Sequence, residues 1–158
     1  MKNQQQALRT WRKLSGSVFG RWVFSRIVCF RAPYFSTIRP VFEVLEPGHA
    51  VARMRKRRAV TNHIGTVHAI AMANLCEFVA GTMTEVSVPT SMRWIPRGME
   101  IHYLDKAETD IRASASIPDI HEGEARDIVV PVVVTDANGK NVVRADVTMY
   151  VSPRKTQS

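Results

Sequence analysis

The sequence predicts an α+β fold: a mostly antiparallel β-sheet wrapped around one long buried helix, with a helical extension in front. Three observations predict it. Residues 68–83 form a proline-free run that is apolar on almost every side, the mark of a central helix rather than a surface one. After about Met99 the chain falls into runs of period two, the repeat of a half-buried strand. Short connections separate these runs, and an antiparallel sheet around one helix accommodates them without long crossovers.

Residues 7–31 read as one or two basic amphipathic helical pieces. Phe19, Val23, Ile27 and Phe30 recur every three to four positions, and Ser15, Gly16 and Gly20 are candidate breaks. Pro33 stops helix near Ala32, because the residue before a proline is pushed out of the α region. Residues 40–45 and 50–55 read as strands joined by the turn dipeptide Pro47-Gly48. Val51, Met54 and the arginines between them suggest a strand half exposed to water. Arg55-Lys56-Arg57-Arg58, on the same expected strand, is the densest charge cluster in the chain.

In the central helix Met72, Leu75, Cys76, Val79 and Met83 form an apolar stripe. Ala73, Asn74, Glu77 and Gly81 form a second stripe of small residues around a single carboxylate. Beyond it, 99–104 reads as a strand, and Ile111, Ala113, Ala115 and Ile117 share one face of the next. Residues 128–135 and 141–151 flank Asn138-Gly139, a strong hairpin signal. In the last strand Val143, Ala145, Val147, Met149 and Val151 alternate with Arg144, Asp146, Thr148 and Tyr150. Pro131 interrupts an apolar run, so its strand is expected to bulge or to lie partly at an edge.

A chain of 158 residues, 45% hydrophobic and 23% charged, fits one globular domain and excludes a disordered one. Cys29 and Cys76 supply neither a disulfide framework nor a metal-binding spacing. A reducing, cytoplasmic setting is the natural expectation. Arg21 and Arg26 interrupt the apolar stretch from Val18 to Phe30, so it makes neither a signal segment nor a membrane span. Residues 1–60 carry thirteen Lys/Arg against Glu43 and Glu46, a net of +11, whereas residues 61–158 carry a net of −3. Such a basic part suits a polyanionic partner such as coenzyme A, an anionic lipid or a nucleic acid. The plain alternative is that the charge serves solubility. Nucleic acid is disfavoured, because no binding motif accompanies the charge and no aromatic residues are interleaved with residues 55–58.

The segment Asn62-His63-Ile64-Gly65-Thr66-Val67-His68-Ala69, with Glu77 nine residues after His68, is where a family likeness becomes specific. It resembles hotdog-fold thioesterases of the phenylacetate-pathway and hydroxybenzoyl-CoA types. There an Asn and a Gly precede a His-Gly-Gly that opens the central helix, and an acidic residue follows nine positions after the His. Ala69 and Ile70 stand in place of the two glycines, and Glu77 in place of the commoner Asp. Ala69 still offers a backbone N–H, whereas Ile70 narrows the approach to the acyl group. The likeness covers about residues 33–153, which makes 1–32 an extension and 154–158 a tail. Ala32-Pro33-Tyr34 and Arg93-Trp94-Ile95-Pro96 resemble a branch of this superfamily of unassigned activity. The resemblance implies an acyl-CoA thioesterase with no cofactor beyond the coenzyme A of its substrate. It assigns catalytic parts to Asn62, His68, Ala69 and Glu77, and substrate contacts to His63, Gly65 and Ile70.

Elementary chemistry points the same way. N–H groups at a helix start lack partners and carry partial positive charge, so the Ala69 amide suits a thioester oxyanion. Glu77 suits water activation or direct attack, and His68 suits orientation of the carbonyl or the loop. Nine residues of helix span roughly 13 Å, so Glu77 cannot serve its own helix start. A two-fold dimer, or a dimer of dimers, with crossing helices is implied. The phosphates of coenzyme A are expected against Arg57 and Arg58, or against Arg93 and Arg97.

Plain structural readings stand beside each role. Glu77 is a candidate for a salt bridge to an arginine of the basic run, His68 for a helix cap, Asn62 for a loop brace and Cys76 for core packing. Two other functions compete. A hotdog dehydratase pairs a His with a Glu fourteen residues later, the interval from His63 to Glu77, although the proline-rich stretch those enzymes carry between them is absent. A non-catalytic acyl-CoA or lipid binder on the same fold is the other, with the basic N-terminal helix meeting an anionic membrane.

Overall fold

The structure, a computed structural model, describes residues 3–154, so residues 155–158 of the expected tail lie outside it. Two helices, α1 (Asn3–Leu14) and α2 (Val18–Arg31), open the chain, and a 3₁₀ turn at Pro33–Thr37 leads into the sheet. The strands β1 (Val41–Glu46) and β2 (His49–Met54) precede the central helix α3 (Ala69–Ser87). Then come β3 (Met92–Tyr103), β4 (Ile111–Ser116), β5 (Arg126–Asp136) and β6 (Asn141–Pro153). All six strands join in one antiparallel sheet of order β1-β2-β4-β5-β6-β3, and α3 packs against every one of them.

The period-two and period-3.6 patterns meet in the core. Met72, Leu75, Cys76, Val79 and Met83 of α3 are buried in one cluster with Ile111, Ala113 and Ala115 of β4 and Val143, Ala145, Val147 and Met149 of β6. Each large side chain so buried contributes roughly 1.5–3 kcal/mol. A one-residue slip of either strand would turn its whole set to solvent, which is why the register is well specified.

The N-terminal helices share this core. Trp11 meets Phe24 edge-on at 5.2 Å, Phe24 meets Phe42 at 6.0 Å, and Phe42 stacks on Phe78 of α3 at 4.5 Å. Ser25 of α2 is fully buried. It donates to the Arg21 carbonyl at 2.8 Å and accepts the Phe42 N–H at 2.9 Å, where a register shift interrupts the β1 ladder. A buried amide that the strand leaves unpaired is thus satisfied by the helix.

Some of the expected details hold, and others are corrected. The N-terminal helix is two pieces broken at Ser15-Gly16, and Ser17 caps the second through Gly20 N at 2.9 Å, so Gly20 lies inside α2. The stripe Phe19, Val23, Ile27 and Phe30 faces outward; Gly20, Phe24, Ser25 and Cys29 make the buried face. α3 continues to Ser87, and within its last turns Thr84 and Ser87 turn their hydroxyls back to the Ala80 and Met83 carbonyls. β3 begins at Met92, seven residues before Met99, and contains Arg93 through Pro96. It is an edge strand bonded only to β6, with a shift between Pro96 and Gly98, and an edge tolerates a proline. The basic run is not on a strand: β2 ends at Met54, and Arg58 begins a 3₁₀ turn, Arg58–Val60. Pro131 does lie partly at an edge, since β4 pairs with β5 only as far as Val132.

Candidate functional site

The chain reaches α3 through a tight loop closed by a Thr61–Val67 bridge. Asn62 braces it: its Nδ2 donates to Thr66 Oγ1 at 2.8 Å, and its Oδ1 accepts from Ile64 N at 3.2 Å and Thr66 N at 3.0 Å. Gly65 supplies the left-handed backbone the loop requires, with φ 78°. His68 then caps α3, its Nδ1 accepting the Ile70 N–H at 3.1 Å, which leaves the neutral ring's proton on Nε2. The Ala69 N–H has no acceptor among the described residues, while its carbonyl accepts the Tyr103 hydroxyl at 3.1 Å. Burial, and then the nearby Cys76, hold the Tyr103 hydroxyl above the usual phenol range.

Glu77 is half-buried on the small-residue stripe. It lines a cavity of about 390 Å³ with Phe35, Gly81, Glu85, Trp94 and Pro96. Trp94 Nε1 donates to Glu85 at 2.6 Å, whereas Glu77 makes neither a hydrogen bond nor an ion pair among the described residues. The salt-bridge alternative is therefore not realised. A carboxylate left free in a partly apolar cavity is costly unless something else meets it. Gly81 makes the room, since a Cβ there would lie 3.1 Å from the Trp94 ring.

A second cavity, about 190 Å³, is lined by Tyr34, Thr37, Thr61, His68, Ile70 and Asn74. Asn74 is a residue whose role sequence reasoning missed. Thr37 donates its hydroxyl to the Tyr34 carbonyl at 2.7 Å and so accepts from Asn74 Nδ2 at 3.3 Å. That order assigns Oδ1 as the end of the buried Asn74 amide with no partner. The available signal was a lone amide in an otherwise apolar helix. A third cavity of about 330 Å³ is lined by Asn62, Ala69 and Tyr103 among others. Within one chain, then, Ala69, His68 and Glu77 open onto three cavities and do not converge.

The remaining candidates scatter. His63 is exposed and lines none of these cavities. Ile70 projects 58% exposed at the helix start. Arg97 is paired with Asp127 at 2.9 and 3.0 Å and lies 4.2 Å over the Tyr150 ring, and Arg93 donates to Ser152 at 3.3 Å. Arg57 lines a separate basic cavity of about 970 Å³ beneath α2 and donates to the Thr37 carbonyl at 2.5 Å; Arg58 is exposed outside it. Desolvation, then Arg39, lowers the Arg57 pKa. Cys76 is core: burial alone pushes its thiol up to about 12.

Residues 20–151 match the model of a domain of unknown function, DUF4442. The crystal structure of a structural-genomics protein, APC5556, is 44% identical and superposes with a TM-score of 0.82 over 95% of this chain and 99% of that one. A Pseudomonas aeruginosa protein of unknown function, described as a probable thioesterase, is 20% identical with a TM-score of 0.73 over 82% and 93% of the two chains. A Staphylococcus aureus thioesterase, 19% identical, gives 0.68 over 77% and 99%. Structures of that staphylococcal protein carry alanine for a Gln and, separately, for a Glu fifteen positions further on. No curated protein matches in sequence. The chain has the hotdog fold of these structures.

Proposed function

We propose that this chain, which belongs to the DUF4442 family, hydrolyses acyl thioesters, acyl-CoA foremost, at a site shared by two copies. One observation carries the reading. Glu77 is a free carboxylate in its own cavity, and the free Ala69 amide opens onto another, eight residues back on the same helix. At 1.5 Å per residue they stand about 12 Å apart along the axis, so a carboxylate from one copy must meet the helix start of the other. The unpaired edge of β3, twelve residues long, offers a seam for such a pairing.

Glu77 takes a proton from water as the oxygen attacks the thioester carbonyl carbon. The carbonyl electron pair moves onto oxygen, where the free Ala69 N–H meets it, while His68 caps the helix start that holds this amide in place. Collapse breaks the C–S bond, and the departing thiolate takes the proton from Glu77, leaving a carboxylic acid and a free thiol. Asn62 acts indirectly, by holding the loop that aims the helix start.

Release of free thiol from an acyl-CoA panel tests the reading. Glu77→Gln is expected to lower turnover by about 10²-fold or more, with the fold intact. Turnover equal to wild type removes Glu77 from the mechanism. A wild type that cleaves nothing in a broad panel is a binder, not a hydrolase. Light scattering that finds only a 17.8 kDa monomer removes the shared site.

A further inference from the structure

α2 carries two apolar faces, and only one is used inside the chain. Of the twelve large hydrophobic side chains exposed among the described residues, six fall between Val18 and Tyr34. Phe19 is 72% exposed, Trp22 48% and Phe30 87%, and they share one side of the helix with Val23 and Arg26. Phe19 and Trp22 stack on each other at 5.8 Å rather than on the core. A contiguous patch of this kind on a folded surface marks contact with something apolar.

What lies beside it selects the partner. Val18, Phe19 and Trp22 form one wall of the basic cavity, and Arg26, Arg39, Arg55 and Arg57 form the rest with their neighbours. Arg26 Nε is buried with no acceptor, and Arg39 is held in the left-handed region at φ 50°. No acid among the described residues lines this cavity; Glu43 of β1 is already taken by Arg53 and Arg112, and Asp110 accepts the Lys56 amide. A second copy docked face to face would set these cations against their own kind. The face calls for a partner both apolar and negatively charged over an extended surface. A bilayer of anionic phospholipids has that chemistry: aromatic side chains enter the acyl boundary, and arginines meet phosphates. No described helix is long and apolar enough to cross a membrane, so α2 would lie in the interface plane.

We propose that the outward face of α2, with the basic cavity beside it, docks this protein on an anionic phospholipid membrane. The proposal does not rest on thioester hydrolysis, and turnover of soluble acyl-CoA measured alongside keeps the two readings separate.

The test is flotation of the full chain with vesicles of phosphatidylcholine alone and of an equal mixture with phosphatidylglycerol. The chain is expected to float with the mixed vesicles only, and less as salt is raised. A Phe19→Ser/Trp22→Ser variant should bind about tenfold less or worse, with unchanged melting and unchanged turnover. Arg39→Ala/Arg55→Ala should also weaken binding. Equal flotation on both vesicle types, none on either, or a double variant that floats like wild type each overturns the proposal. So does binding of free coenzyme A or glycerophosphoglycerol that depends on these arginines while vesicles fail to bind, because the cavity is then a soluble-anion site. A fall in the variant's solution mass without vesicles also overturns it, because a second copy then covers the face.

Discussion

α2 and α3 each carry an apolar stripe at helical spacing, yet they use it in opposite ways. In α3 the stripe Met72–Met83 is buried by the sheet, and the carboxylates Glu77 and Glu85 sit at half-exposed positions. In α2 the stripe Phe19–Phe30 stands in solvent, and the face that packs inward is the smaller, mixed set Gly20, Phe24, Ser25 and Cys29. The lesson is physical. Helical periodicity shows that a face exists, but the partner chooses the face. Ser25 was needed to pair the Phe42 amide, and Phe24 to complete the column from Trp11 to Phe78. A row of larger side chains at 19, 23, 27 and 30 offers neither.

The sharpest way to break this comparison is to truncate one phenylalanine on each face of α2. Phe24→Ala should destabilise the protein by about 3–5 kcal/mol, because it empties a site only 2% exposed within an aromatic column. Denaturant midpoints measure it, and a loss near zero would mean that α2 is not docked as described. The two buried thiols give a smaller effect. Cys76 is pushed up to about 12 from 9.0 by desolvation; Cys29 is raised too, but Arg26 pulls the other way. Raised thiol pKa values mean that above about pH 9 the unfolded chain releases protons that the folded chain keeps, so stability falls with rising pH. Unfolding midpoints from pH 8 to 10 should show this slope, and Cys76→Ala should flatten it more than Cys29→Ala. The smallest effect is expected at Phe30→Ala, within about 0.5 kcal/mol of wild type in the absence of membranes. A large loss there would move the outward face of α2 into the core.

Much of the fold was legible in the sequence because its signals were local. The period-two face of 143–151 and the apolar run after His68 needed no tertiary context, and Asn138-Gly139 marked the last hairpin. The first half of β3 was not legible, since Arg93, Pro96, Arg97 and Gly98 read as turn chemistry; only its place at the sheet edge makes a strand of them. At the candidate site Glu77 stood out as one carboxylate in an apolar helix, and His68 by its place at the helix start. Phe35, Asn74 and Tyr103 did not, because the walls they build come from separate elements that adjoin only in the folded chain. The separation of Arg57 from Arg58 was hidden for a related reason: a 3₁₀ turn begins between them, and only Arg57 lines the basic cavity.

The contact of Trp94 with Gly81 also bears on how such a protein can diverge. The ring leaves a prospective Cβ at position 81 only 3.1 Å of clearance, and both residues wall the cavity that holds Glu77. Positions 81 and 94 are therefore sterically coupled. A side chain added at 81 would need the Trp94 ring to give by a few tenths of an ångström, and any such shift reshapes the chamber beside the carboxylate.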